Sequence, residues 1–201
     1  MAEHFNIALA LGNRISPERR AEVFSTLITI YAPFFDKLHE VCLHNYQAGT
    51  SRCEDWPSGE GLLKADIAKN ELLFLYGVNS DGAPGARSSI HFDESDLGVT
   101  FLVSLPISTN SGFFSNQLVQ CLSATQKLAE SLLVNFIVAA GWELECDMSQ
   151  KIESVLDDYF SELSLSLWIA APKHLISSWP KAYIKVSESD KAILLRNVGG
   201  L

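Results

Sequence analysis

The chain has 201 residues and carries 24 acidic against 15 basic side chains, a net charge of −9. With 47% apolar and 19% charged residues it holds enough apolar surface to offset the entropy of ordering, which excludes intrinsic disorder. The acidic balance speaks against direct nucleic-acid or anionic-membrane binding, both of which call for a basic surface, and suits an encounter with a basic protein surface.

Phe5 to Leu11 reads as a short buried strand closed by Gly12-Asn13. Ser16-Pro17-Glu18 has the form of a helix start: Ser caps, Pro is tolerated at the first helical position, and Glu complements the dipole. Val23, Leu27, Ile30, Phe34, Leu38 and Val41 follow at spacings of three and four. They predict one long helix to about Tyr46, kinked or divided at Pro33. Residues 47–61 read as a loop on Gly49, Pro57, Gly59 and Gly61, and 62–69 as a short helix. Strands are expected at 71–76, 87–92 and 99–105, joined by short connections into an antiparallel meander. A turn is expected at Asn79-Ser80-Asp81-Gly82, and Gly82-Ala83-Pro84-Gly85 reads as a hairpin tip, because it lacks the lysine of a phosphate loop.

A second long helix is predicted over 116–140. Leu118, Leu122, Thr125, Ala129, Leu132 and Phe136 share a face, and Gly141 stands as its stop. A short strand at 142–146 and a helix at 149–160 with an acidic outer side come next. The Leu-Ser alternation of 163–169 reads as a half-buried strand. A loop between Pro172 and Pro180 carries Trp179, and a hairpin of 183–186 with 192–195 ends the chain. The expected fold is a single α+β domain, 1–201, in which a mainly antiparallel sheet packs against two long helices.

The four cysteines, at 42, 53, 121 and 146, show no C-x-x-C spacing, so neither a zinc ribbon nor a redox motif is indicated. Cys42 and Cys121 fall in apolar helical patterns and read as buried thiols. The N-terminus lacks the basic stretch and apolar run of a signal peptide, and no apolar run approaches the roughly 18 residues of a membrane span. The expected address is the cytoplasm.

No motif specifies a reaction. His91 and Asp93, two apart on an expected strand, would face one side and form the nearest thing to an acid/base pair. No third ligand lies at recognisable spacing, and no serine sits in G-x-S-x-G. No catalytic residue, metal or cofactor is therefore expected. A small hydrolase or transferase centred on His91 and Asp93 is the alternative, and an adaptor using the uncharged 97–126 stretch is a further one. Charge is the most uneven feature. Seven acids oppose one lysine between 143 and 162, so this stretch holds −6 of the −9. Asp93, Glu94 and Asp96 form a second acidic knot. The expected protein-binding residues are Asp93, Glu94, Asp96, Glu153, Asp157, Asp158 and Glu162, with Trp56 and Trp179 as aromatic anchors.

Several segments match a known pattern in order and residues. They are the first strand ending at Gly12-Asn13-Arg14, the helix after Ser16-Pro17-Glu18, Pro33-Phe34-Phe35, and Ala48-Gly49-Thr50-Ser51-Arg52. Leu73-Phe74-Leu75-Tyr76-Gly77-Val78-Asn79, the strand Val99–Leu105 ending at Pro106, and Leu167-Trp168-Ile169 followed by Pro180 and a closing hairpin complete the set. In these the chain resembles the bacterial polymorphic-toxin immunity proteins of the group called Immunity protein 52. The resemblance implies an α+β protein, without catalytic residues of its own, that binds one cognate toxin delivered by a neighbouring cell. The family's usual partner is a nuclease of restriction-endonuclease type, and the acidic clusters of this chain suit a basic active-site cleft on such a toxin.

Overall fold

A computed structural model describes residues 4–34, 37–45, 48–55, 72–78, 88–106, 111–146, 150–162 and 166–199. Trp56, Asp147, the expected 62–69 helix and the expected 79–85 turn lie outside them. Among the described residues, the chain forms an α+β fold around a ten-stranded sheet with nine neighbouring pairs, every one antiparallel. In chain order the strands are β1 His4–Leu11, β2 Lys37–Asn45, β3 Thr50–Asp55, β4 Leu72–Val78, β5 Ser88–Glu94, β6 Val99–Pro106, β7 Phe136–Trp142, β8 Ser166–Pro172, β9 Tyr183–Glu188 and β10 Ala192–Asn197. Their spatial order is β3-β2-β4-β5-β6-β1-β7-β8-β10-β9. The expected meander is present as β4-β5-β6, and the expected terminal hairpin as β9-β10. Among the described residues there are three α-helices: α1 Pro17–Tyr31, α2 Ser111–Ser131 and α3 Ile152–Ser161.

The first strand sits at the centre, between β6 and β7, and the period of two decides which residues face each way. Phe5, Ile7, Leu9 and Leu11 enter one cluster, with Phe101, Val103, Phe136 and Val138 from the neighbouring strands. Val23, Phe24, Leu27 and Tyr31 of α1 and Leu118, Leu122 and Ala129 of α2 cover that side. On the other side Ala8 and Ala10 of β1 lie with Ile137, Ala139, Ile169 and Ala171, and α3 packs there through Ile152, Val155, Leu156 and Tyr159. Among the described residues, the sheet is thus flanked by two helices on one face and by one short helix on the other.

Both helices predicted to be long are cut short. α1 has 15 residues and passes through a 3-10 turn, Ala32–Phe34, into β2 rather than running to Tyr46. Pro33 cannot continue the ladder, and Val41, which fitted the helical stripe, instead points into the sheet's core. Only α2, with 21 residues, is long. It stops at Ser131, and the residues expected to extend it to 140 include most of β7. Gly141, expected as a helix stop, lies inside that strand, which ends at Trp142 rather than running on to Cys146. Phe136-Ile137-Val138 is rich in aromatic and β-branched residues, and such a short apolar run suits a buried strand as well as a helix. The loop expected at 47–61 holds β3, and Cys42 is not a thiol but is disulfide-bonded to Cys53, directly opposite it across β2 and β3. Residues 163–165, at the start of the expected 163–169 strand, are outside the description. β8 begins at Ser166.

The predicted start of α1 is present: the Ser16 hydroxyl accepts from the Arg19 amide at 3.4 Å, with Pro17 in the first turn. Ser16→Ala is expected to lower stability by about 1 kcal/mol, readable as a shifted urea midpoint with an unchanged slope.

Candidate functional site: an acidic cleft beside the short helix

α3 is amphipathic. Ile152, Val155, Leu156 and Tyr159 are buried against the sheet, while Glu153, Asp157 and Asp158 point to solvent and Glu162 follows as the C-cap. The turn leaving β7 brings more acid alongside. Glu143 adopts φ +47°, rare for a residue with a Cβ, and is pinned to the start of β1: its amide donates to the His4 carbonyl at 2.9 Å, and its carboxylate accepts from the His4 amide at 2.6 Å. Asn6, buried on β1, donates to the Leu144 carbonyl at 2.9 Å. The Tyr159 hydroxyl donates to the Glu145 carbonyl at 3.0 Å, and burial pushes its pKa well up, so the phenol stays neutral.

These ties enclose a cleft of about 320 Å³, lined by Glu143, Glu145, Gln150, Val155, Asp158, Tyr159 and Glu162. Four carboxylates surround an apolar and aromatic floor. Gln150 Nε2 donates to Asp158 Oδ2. Among the described residues, none of Glu143, Glu145, Glu153, Asp157, Asp158 and Glu162 forms an ion pair. Acids elsewhere do: Glu22 pairs with Arg19, and Glu188 with Lys173 and Lys185.

The second acidic knot is divided by the strand period. Asp93 is exposed, and its Oδ1 accepts from the Glu94 amide at 2.7 Å. Its register partner is Thr100, whose hydroxyl lies 3.6 Å from Cys146 Sγ, so Asp93 is on the α3 side of the sheet. Glu94 points to the other side. Its side chain is 4% exposed and takes a hydrogen bond from Arg20 Nη2 at 2.6 Å, with Arg14 Nε at 3.5 Å. Glu94, expected at a partner surface, is thus placed with its carboxylate against Arg20 inside the molecule. Asp96 is open to solvent but held by Arg14 Nη2 at 2.6 Å. Trp179 is 36% exposed in the segment leading to β9. In the uncharged 97–126 stretch, Val99, Phe101, Val103, Leu118 and Leu122 are core residues, and Leu97 is the large apolar side chain exposed among those described.

His91 and Asp93 do share a face of β5, but neither lines the cleft. Burial depresses His91 to about 4, which makes it a weak base at neutral pH. The unfolded chain binds a proton at His91 near pH 6.5 that the folded chain refuses until about pH 4. Stability held above that window is therefore lost as pH falls through it, and urea unfolding of His91→Gln is expected to show a flatter profile between pH 6.5 and 4 than the parent chain.

The sequence reading found the acids of α3 but missed Gln150 and Tyr159 as cleft residues. An amide and a tyrosine in a charged segment carry no signal of their own until the β7–α3 connection folds back. Among the described residues, no helix is long and apolar enough to cross a membrane. Comparison of the chain with protein-family models, with curated proteins and with solved structures returned no match.

Proposed function

We propose that this protein is a cytoplasmic immunity protein that binds and occludes a cognate secreted bacterial toxin, a nuclease with a basic active-site cleft. The observation that carries this reading is the group of carboxylates around α3 that lack a basic partner among the described residues. Their arrangement costs the fold something. Glu153 and Asp157, and Asp158 and Glu162, are like charges four apart, each pair unfavourable by about 0.2–0.5 kcal/mol. Asp157, Asp158 and Glu162 also crowd the C-terminal end of α3, where the helix dipole is already negative. Charge retained against local stability fits a surface selected for a partner.

In the mechanism, the negative face steers the toxin in and raises the association rate at low salt. The cleft takes a lysine or arginine side chain, with carboxylates around the cation and the Tyr159 ring and Val155 against its stem. Asp93 and Trp179 belong to the wider contact, of about 1,600 Å² in total for a stable complex. Cations that hold substrate phosphates in the nuclease are thereby engaged, and its active site is closed. The test is co-purification of the tagged chain with the C-terminal domain encoded by the gene immediately upstream. A stoichiometric complex that abolishes nuclease activity in vitro is expected. Absence of a complex, or measured turnover of a substrate by this chain, would overturn the reading.

A further inference from the structure

Glu40 and Cys42 are two apart on β2 and share a face. The register with β3 sets Glu40 opposite Asp55 and Cys42 opposite Cys53. Two sulfurs and two carboxylates therefore form a two-by-two grid on one side of the hairpin at the sheet edge. Both sulfurs and a Glu40 carboxylate oxygen lie within 4.8 Å of one another. With the sulfurs bonded to each other the grid offers no thiolate, and it acts as a staple between β2 and β3.

We propose that opening the Cys42–Cys53 disulfide turns this staple into a zinc site, with the two thiolates and the Glu40 carboxylate as protein ligands and a water as the fourth. Mixed sulfur and oxygen donors on adjacent strands match what Zn²⁺ accepts, at about 2.3 Å to sulfur and about 2.0–2.2 Å to oxygen in a tetrahedron. Thiolates disfavour Mg²⁺ and Ca²⁺. The chemistry balances with a dithiol reductant. A reductant thiolate attacks Cys53, which is exposed, whereas Cys42 is buried. The S–S bond breaks, the reductant is oxidised to its own disulfide, and Cys42 and Cys53 gain two electrons and two protons. As each Zn–S bond forms, that thiol gives its proton to water. A reducing compartment thus holds the hairpin by metal, and an oxidising one holds it by the covalent bond.

The experiment titrates the full reduced chain with Co²⁺ under anaerobic conditions and follows thiolate-to-cobalt charge-transfer absorption. A saturable tetrahedral Co²⁺ spectrum, displaced by Zn²⁺ and absent from the oxidised chain, is expected. Cys42→Ser/Cys53→Ser is expected to lose it although Cys121 and Cys146 remain. Glu40→Gln leaves the disulfide in place for folding and is expected to weaken Co²⁺ binding to the reduced chain by about tenfold or more. Circular dichroism checks that each reduced chain keeps its fold. An equal spectrum from the oxidised chain or from the double serine variant overturns the proposal, as does unchanged affinity in Glu40→Gln.

Discussion

Replacing Arg20 with methionine is expected to cost about 3–5 kcal/mol of stability, the range for breaking a buried ion pair from one side. Arg20 is 8% exposed in its side chain and does three things at once. Its Nε donates to the Ile15 carbonyl at 2.9 Å, its Nη2 donates to Glu94 at 2.6 Å, and its guanidinium stacks 5.6 Å from the centre of the Phe92 ring. Without it, Glu94 keeps only Arg14, which is half-exposed and 3.5 Å away, while Glu94 Oε2 is already buried without a hydrogen bond. At about 2–4 °C per kcal/mol for a chain of this size, the melting temperature falls by roughly 6–20 °C. Arg19→Met is the control: its pair with Glu22 is exposed, and losing it costs under about 1 kcal/mol. The double variant Arg20→Met/Glu94→Leu is expected to recover much of the loss, because no uncompensated charge remains inside. A single-variant cost close to that of the control would mean that Glu94 reaches water, and that the acidic knot at 93–96 is available to a partner after all.

Reversing the charge of α3 is expected to separate binding from folding. Asp157→Lys/Glu162→Lys removes one member of each like-charge pair and places cations at the C-terminal end of the helix, where the dipole favours them. The melting temperature is therefore expected to rise by a few degrees, about 1–2 kcal/mol at roughly 2–4 °C each. Affinity for a basic toxin domain is expected to fall by about a hundredfold or more, given couplings of about 1.5–7 kcal/mol for close charge pairs across an interface. Calorimetric titration against the partner and thermal unfolding of the free chain read the two effects separately. A more stable variant that binds as before would show that the carboxylates of α3 are a solvated face, and the site would have to be sought elsewhere.

The two helix-length errors show where sequence periodicity stops. Val41 and Phe136 each continue a spacing of three or four, and each is buried, but both are buried by strand neighbours. A short apolar run satisfies either period, and only pairing partners distant in sequence decide between them. The disulfide was hidden for the same reason: Cys42 and Cys53 become neighbours only when the segment after Pro33 turns from helix to strand. Glu94 and Asp93 are adjacent in sequence and equally acidic, yet a strand sends them to opposite faces, one to Arg20 and one to solvent.

By itself the sequence determined what depends on local chemistry: β1 as a short buried strand, the Ser16-Pro17 helix start, the β4-β5-β6 meander, the closing hairpin, the amphipathic α3 and its excess of negative charge. Each of these rests on residues within a few positions of one another. The tertiary structure alone decided which acids remain unpaired, that Glu143, Gln150 and Tyr159 share a cleft with Asp158 and Glu162, and that Glu40, Cys42, Cys53 and Asp55 form a grid. The grid depends on register across β2 and β3, where a one-residue change would send one strand's side chains to the opposite face, and the cleft depends on the two-sided packing of the central sheet.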